Sequence, residues 1–113
     1  EHAEGPMLTV ERMAYFWQAY VPKAAERVDW RCAPLRAPDL AGLPPTMILA
    51  STIDPLYSEG EAYATRLAEA GVAVEHVPLP GMCHAIFQAP ALLDESRRGI
   101  DLAGAALKRA FAR

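Results

Sequence analysis

Thr46-Met47-Ile48-Leu49-Ala50, followed by Ser51-Thr52-Ile53-Asp54-Pro55-Leu56, decides the fold. The first five residues form a short apolar run after Pro44-Pro45 and show no polar alternation. Such a run suits a strand covered on both faces, as in parallel sheets. Residues 51–57 then read as a loop. Ser58 and Glu61 make the S-x-x-E pattern of a helix capping box. Ala62, Tyr63, Leu67 and Ala70 continue that helix, and Gly71 stands where a helix ends in left-handed geometry.

Residues 72–78 alternate, with Val72, Val74 and His76 on one side and Ala73, Glu75 and Val77 on the other. This predicts a second strand, near a sheet edge. Gly81 opens a tight turn that leads through Met82 and Cys83 to His84. Strand, helix and strand in this order predict a right-handed parallel crossover. Ligands gather beyond the carboxyl ends of strands in open parallel sheets. Asp54 and His84 both fall just past such ends, and neighbouring strands lie ~5 Å apart, so the two loops can meet. An acid and a histidine so placed are two members of a charge-relay triad. Taken alone, Asp before Pro is also an ordinary turn starter, and a loop histidine is often only polar surface.

Upstream, Thr9 can cap a helix, with Glu11 in its first turn. Met13, Phe16, Trp17 and Tyr20 fall on one face of that helix, and Pro22 stops it. Such a stripe is usually core, although it can also line an acyl pocket. Residues 23–45 carry four prolines and few regular signals, and one helical turn is expected near Asp39–Gly42. A long loop of this kind marks function or a missing neighbour. Downstream, residues 92–112 predict a final helix with Ile100, Ala103, Leu107, Ala110 and Phe111 on its apolar face. Arg97, Arg98, Asp101, Lys108 and Arg109 fall mostly opposite, and Gly99 and Gly104 weaken the helix. The fold class is therefore α/β.

The 113 residues allow one domain, and with 52% hydrophobic and 22% charged residues disorder is not expected. The net charge is −3 and no Lys/Arg cluster occupies one face, so nucleic acid is not an expected partner. No apolar run approaches the ~20 residues of a membrane span. No secretion signal opens the chain. Cys32 and Cys83 read as free thiols of a reducing, cytoplasmic setting. Neither they nor His2 and His76 show metal-ligand spacing, and His76 reads as a strand surface residue.

The ordered motifs carry a resemblance. Leu43-Pro44-Pro45-Thr46, Asp54-Pro55-Leu56-Tyr57-Ser58-Glu59-Gly60, Tyr63-Ala64-Thr65-Arg66-Leu67, Ala70-Gly71-Val72 and Gly81-Met82-Cys83-His84 follow one another in sequence. The series resembles the C-terminal half of the hormone-sensitive-lipase-like α/β hydrolases, the bacterial family IV carboxylesterases and their relatives. That family's stretches are LPP, DPLRDEG, AG and GMxHGF. Met7-Leu8-Thr9, Phe16-Trp17, Tyr20 and Ala33-Pro34-Leu35 are similar to the segment ahead of these strands. The likeness covers nearly the whole chain. It implies the C-terminal part of an α/β-hydrolase fold with an incomplete sheet, beginning after the family's sixth strand. It also implies hydrolysis of small, rather apolar acyl esters without a cofactor, with Asp54 as the triad acid and His84 as the base.

Two departures stand out. The family has Gly after the histidine, and this chain has Ala85, a small change at negative φ and a strain at positive φ. The larger departure is upstream, where the family carries an HGGG oxyanion segment and a G-x-S-x-G elbow. Ser51, Ser58 and Ser96 are the only serines, none is flanked as an elbow, and no Gly-Gly pair occurs. Cys32 is a rival nucleophile, but Arg31-Cys32-Ala33-Pro34 follows no strand and lacks the glycines. The expectation is a fragment of a longer reading frame, beginning at Glu1, that needs the N-terminal half as its partner. A two-stranded remnant is barely stable alone, and its first strand has an open edge. Two alternatives remain: a stand-alone, non-catalytic interaction module built on the remnant, and a hydrolase-fold relative with different chemistry.

Overall fold

The computed structural model describes residues 3–112. Helix α1 (Val10–Tyr20) is followed by a connection containing two 3-10 turns, Ala24–Val28 and Pro34–Arg36. Then come strand β1 (Thr46–Ile53), helix α2 (Tyr57–Glu69) and strand β2 (Val74–Cys83). A third 3-10 turn, Ile86–Gln88, precedes helix α3 (Asp94–Phe111). The two strands pair in parallel, from Thr46 beside Val74 to Ser51 beside Leu79, and then Ile53 beside Cys83. This is the expected α/β architecture, a parallel strand–helix–strand–helix unit with a helix before it.

The helices lie on opposite faces of the sheet. Strand alternation sends Ile48 and Ala50 toward α2, where both come within 3.9 Å of the Cβ position at Gly60. Val74 points the same way, into a cluster with Leu67, Val72, Ala37 and Leu40. Leu79 and Glu75 point to the other face, Leu79 against Gly99 and Glu75 toward Arg109 at 3.1 Å. Leu67 and Leu79 are the large apolar side chains sealed completely, one on each face. Truncating either would leave a cavity costing about 2–5 kcal/mol.

The connection is held to the α2 face by the packing of Ala37 and Leu40 and by one arginine. The Arg66 guanidinium donates to the carbonyls of Leu35 and Ala37, the latter at 2.8 Å. Ala37 and Leu40 are buried beneath it. No helical turn forms at Asp39–Gly42. Asp39 instead accepts the Ala41 amide at 2.8 Å, and Gly42 takes φ 75°, so the side chain turns the backbone before a helix can begin.

Several boundaries differ from the sequence reading, each for a local reason. β1 runs on through Ile53 because β2 continues beside it as far as Cys83. The Ser58/Glu61 capping box does not form, because α2 already starts at Tyr57. Its first amides are taken by Asp54: Oδ1 accepts from Leu56 at 2.9 Å and the carbonyl from Tyr57 at 3.1 Å. Val72 is buried in the turn that closes α2, and β2 begins only at Val74. Gly81 sits within β2 instead of opening a turn. α1 is capped by Thr9, whose hydroxyl accepts the Arg12 amide at 3.2 Å.

The two amphipathic helices also turn differently. α3 buries Ser96 and Gly99, while Ile100, Leu107 and Phe111 remain 39%, 55% and 81% exposed. Small residues let the helix approach the sheet and the 86–88 turn closely, so the larger apolar stripe is swung outward. α1 buries none of its residues, and Phe16 and Tyr20 are exposed. His76 is half-buried: its ring lies 6.4 Å from that of Tyr57, and its Nε2 is shielded, with no hydrogen-bond partner among the described residues. His2 lies outside the described residues.

Candidate active site

Asp54 and His84 stand just beyond the carboxyl ends of adjacent parallel strands. Their side chains meet, with His84 Nδ1 2.9 Å from Asp54 Oδ2. An ionised carboxylate only accepts, so the imidazole must carry its proton on Nδ1. In the neutral ring that leaves Nε2 as a lone-pair acceptor able to take a proton. The Asp54 side chain is 11% exposed and that of His84 40%, so the carboxylate is enclosed and the imidazole is accessible.

Each side chain is fixed by its own local structure. Asp54 spends its other oxygen on the Leu56 amide, in an Asx-type turn that also starts α2. One carboxylate therefore orients the histidine and anchors the loop it stands on. On the other strand, β2 carries two more residues than β1 between matched positions, since 51 and 53 pair with 79 and 83. Gly81 lies in this irregularity at φ 71°, and its amide donates to Thr52 Oγ1 at 2.9 Å. The bulge re-aims the strand end that delivers His84. Ala85 follows at φ 65°, ψ 35° and leads into the 86–88 turn. That is the left-handed region, where a Cβ is strained.

A cleft of about 710 Å³ opens beside the pair, lined by Asp54, His84, Tyr57, Leu35 and the β1 residues Ile48 and Ser51. A contiguous apolar hollow brings His84 together with Met13, Phe16, Trp17 and Tyr20 of α1. The stripe that reads as core in the sequence faces this hollow. Glu59, two residues beyond Tyr57 in the Asp54–Gly60 stretch, and Cys32, the rival nucleophile of the sequence, line it as well. The Cys32 thiol donates to the carbonyls of Asp29 at 3.2 Å and Glu26 at 3.4 Å. Tyr57 also lines the cleft, and a hydrogen bond to Glu61 pushes its hydroxyl pKa up. Among the described residues no group of three His, Cys, Asp or Glu side chains could hold a metal, and no helix is long and apolar enough to cross a membrane.

Comparison with known proteins agrees with this architecture. The family described as the alpha/beta hydrolase fold matches residues 1–88. Ethyl acetate hydrolase of Pseudomonas putida is 31% identical over 108 residues, covering 96% of this chain and 34% of that protein. Carboxylesterase NlhH of Mycobacterium tuberculosis is 37% identical over 119 residues, covering 98% of this chain and 36% of its own. The structure of an ester hydrolase from the metagenome of Lake Arreo superposes with a TM-score of 0.89 at 40% identity, covering 99% of this chain and 36% of that one. The chain thus spans about a third of the length of the relatives it matches.

Proposed function

The chain belongs to the α/β hydrolase family, in its hormone-sensitive-lipase-like branch, and we propose that it supplies the acid and base of a carboxylic ester hydrolase. Asp54 is the acid and His84 the base. The observation that carries this reading is the 2.9 Å contact between them at the ends of two parallel strands. The nucleophilic serine and the oxyanion donors lie on a partner segment, the N-terminal half of the hydrolase domain. It adds its strands to the free edge of β1, which among the described residues pairs only with β2.

The chemistry follows from the tautomer. His84 Nε2 takes the proton of the attacking hydroxyl as its oxygen bonds to the ester carbonyl carbon. Asp54 keeps the ring oriented and stabilises the imidazolium that forms. The imidazolium then returns the proton to the departing alkoxide, leaving an acyl-enzyme. Water repeats the sequence: its proton passes to His84, the acyl bond breaks, and the serine is reprotonated. No cofactor enters these steps. The apolar hollow on α1 supports a small, rather apolar acyl group. The proposed setting is the reducing cytoplasm, where two free thiols in one chain are ordinary.

The test is hydrolysis of short-chain p-nitrophenyl esters by the intact protein. His84→Ala is expected to lower kcat by at least ~10⁴, as loss of a triad member does in the protease archetype. Retention of full turnover by that variant would overturn the assignment. Folding of the 113 residues as a stable monomer without esterase activity would favour the non-catalytic module instead.

A further inference from the structure

Ser96 is completely buried, and it is neither a nucleophile nor a helix cap. A buried hydroxyl costs stability unless it is bonded. This one donates to the carbonyl of Ile86, ten residues earlier. Ile86 opens the 3-10 turn that follows His84 and Ala85. One helical turn beyond Ser96, Gly99 leaves only 3.4 Å between its Cβ position and Phe87 Cε1. α3 therefore grips Ile86 by a hydrogen bond and passes close beside Phe87. Ala85, between the grip and the histidine, is held in left-handed geometry that an alanine does not choose for itself.

We propose that Ser96 is a positioning residue: by tying Ile86 to α3 it holds the His84 imidazole against Asp54. This deepens the reading of Asp54 and His84 given above and rests on it. Without the tie, the turn is free to relax Ala85 out of the left-handed region. His84 moves with it, and the Nδ1 contact lengthens. Misplacement of a reacting group by ~1 Å costs on the order of 10²-fold in rate.

The experiment compares Ser96→Ala and Ser96→Cys with Leu67→Ala in the intact protein. Leu67 is buried on the opposite face of the sheet, so its truncation reports loss of stability alone. Two readouts are taken well below each variant's melting temperature. One is the kcat and KM for a p-nitrophenyl ester. The other is the low-field proton NMR signal of the His84 Nδ1–H held by Asp54, assigned by its loss in His84→Ala. The expected result for Ser96→Ala is a ~10- to 100-fold fall in kcat with KM within about twofold, and a weakened or exchange-broadened Nδ1–H signal. Ser96→Cys, with a weaker donor of similar size, falls between it and the parent. Leu67→Ala leaves both readouts unchanged.

An unaltered kcat and an unaltered signal in Ser96→Ala would overturn the proposal. So would equal changes in Leu67→Ala, which would make the role one of stability only. If Ser96→Ala does not fold, the signal in Ser96→Cys decides, and an unperturbed one counts against the role. If the parent shows no ester hydrolysis, the function assigned above fails, while the NMR signal still decides whether Ser96 positions His84.

Discussion

Thr52 on β1 accepts, through its hydroxyl, the amide hydrogen of Gly81 on β2 at 2.9 Å. The bond spans the two strands where their register breaks. It satisfies the one residue of the bulge that sits at positive φ, three positions before His84. A bulge leaves ladder groups without partners, and a side chain reaching across replaces one of them. Thr52→Val keeps the β-branched shape and removes the acceptor. We expect a loss of about 1 kcal/mol in denaturant unfolding, with unchanged m-value, and a lower kcat at constant KM.

Ala85 stands at φ 65°, in the left-handed region that favours glycine. The left-handed geometry costs an L-residue about 1–2 kcal/mol, and part of that is offset by the greater freedom glycine has in the unfolded chain. Ala85→Gly is therefore expected to stabilise the protein by ~0.5–1 kcal/mol, read as a rise in melting temperature. A fall would mean that the Cβ makes a contact outweighing the strain.

Asp54→Asn separates the two duties of this side chain. The amide oxygen still accepts from the Leu56 amide, so α2 keeps its start. Toward His84, however, an Asn NH₂ offers a donor where a carboxylate oxygen accepted from Nδ1–H. The ring is then favoured in the other tautomer, with its proton on Nε2, where it cannot act as the base. The expectation is a near-native melting curve and a kcat lower by ~10⁴. A comparable loss of stability would show that the loop, and not the relay, depends on the charge.

Away from the cleft, the Asp29 carboxylate accepts three bonds from Arg31, two from the guanidinium at 2.7 and 2.9 Å and one from the backbone amide at 2.9 Å. These hold its pKa at about 2 instead of the ordinary 3.8, the side-chain bond contributing most. A carboxylate lowered in the folded state stabilises it above the unfolded pKa, and that contribution fades as the pH falls through the folded value. The Asp29 carboxyl carbon should therefore titrate near pH 2 by NMR. In Arg31→Ala its midpoint should move back toward 3.8, and the contribution of this pair to acid resistance between those values should disappear. A midpoint that stays low without Arg31 would assign the shift to another cause.

The parts of this fold legible in the sequence were those decided locally. The apolar run at 46–50, the Thr9 cap and the Gly71 helix end each depend on a few neighbouring residues, and each forms where the pattern put it. Asp54 and His84 could be singled out because strand ends and loop lengths bring them together by topology. What could not be read was set by partners distant in sequence. The length of β1 depends on β2, and the start of α2 on an aspartate instead of the nearby serine. The rotation of α3 depends on how closely Ser96 and Gly99 approach the 86–88 turn. The α1 stripe was ambiguous for a different reason: periodicity marks an apolar face without saying whether a core or a cleft lies against it.

Asp54 and His84 close one continuous β1–α2–β2 passage, and the hydrogen bonds from Leu56, Thr52 and the Asp–His contact itself are made within residues 46–84, while the bond from Ser96 reaches in from α3. The Asp54–His84 pair is thus aligned largely from within and tied at its outlet by α3. Evolution or an engineer can exchange the surfaces around it without having to re-tune the spacing of its two members, provided that the α3 tie beside His84 is kept.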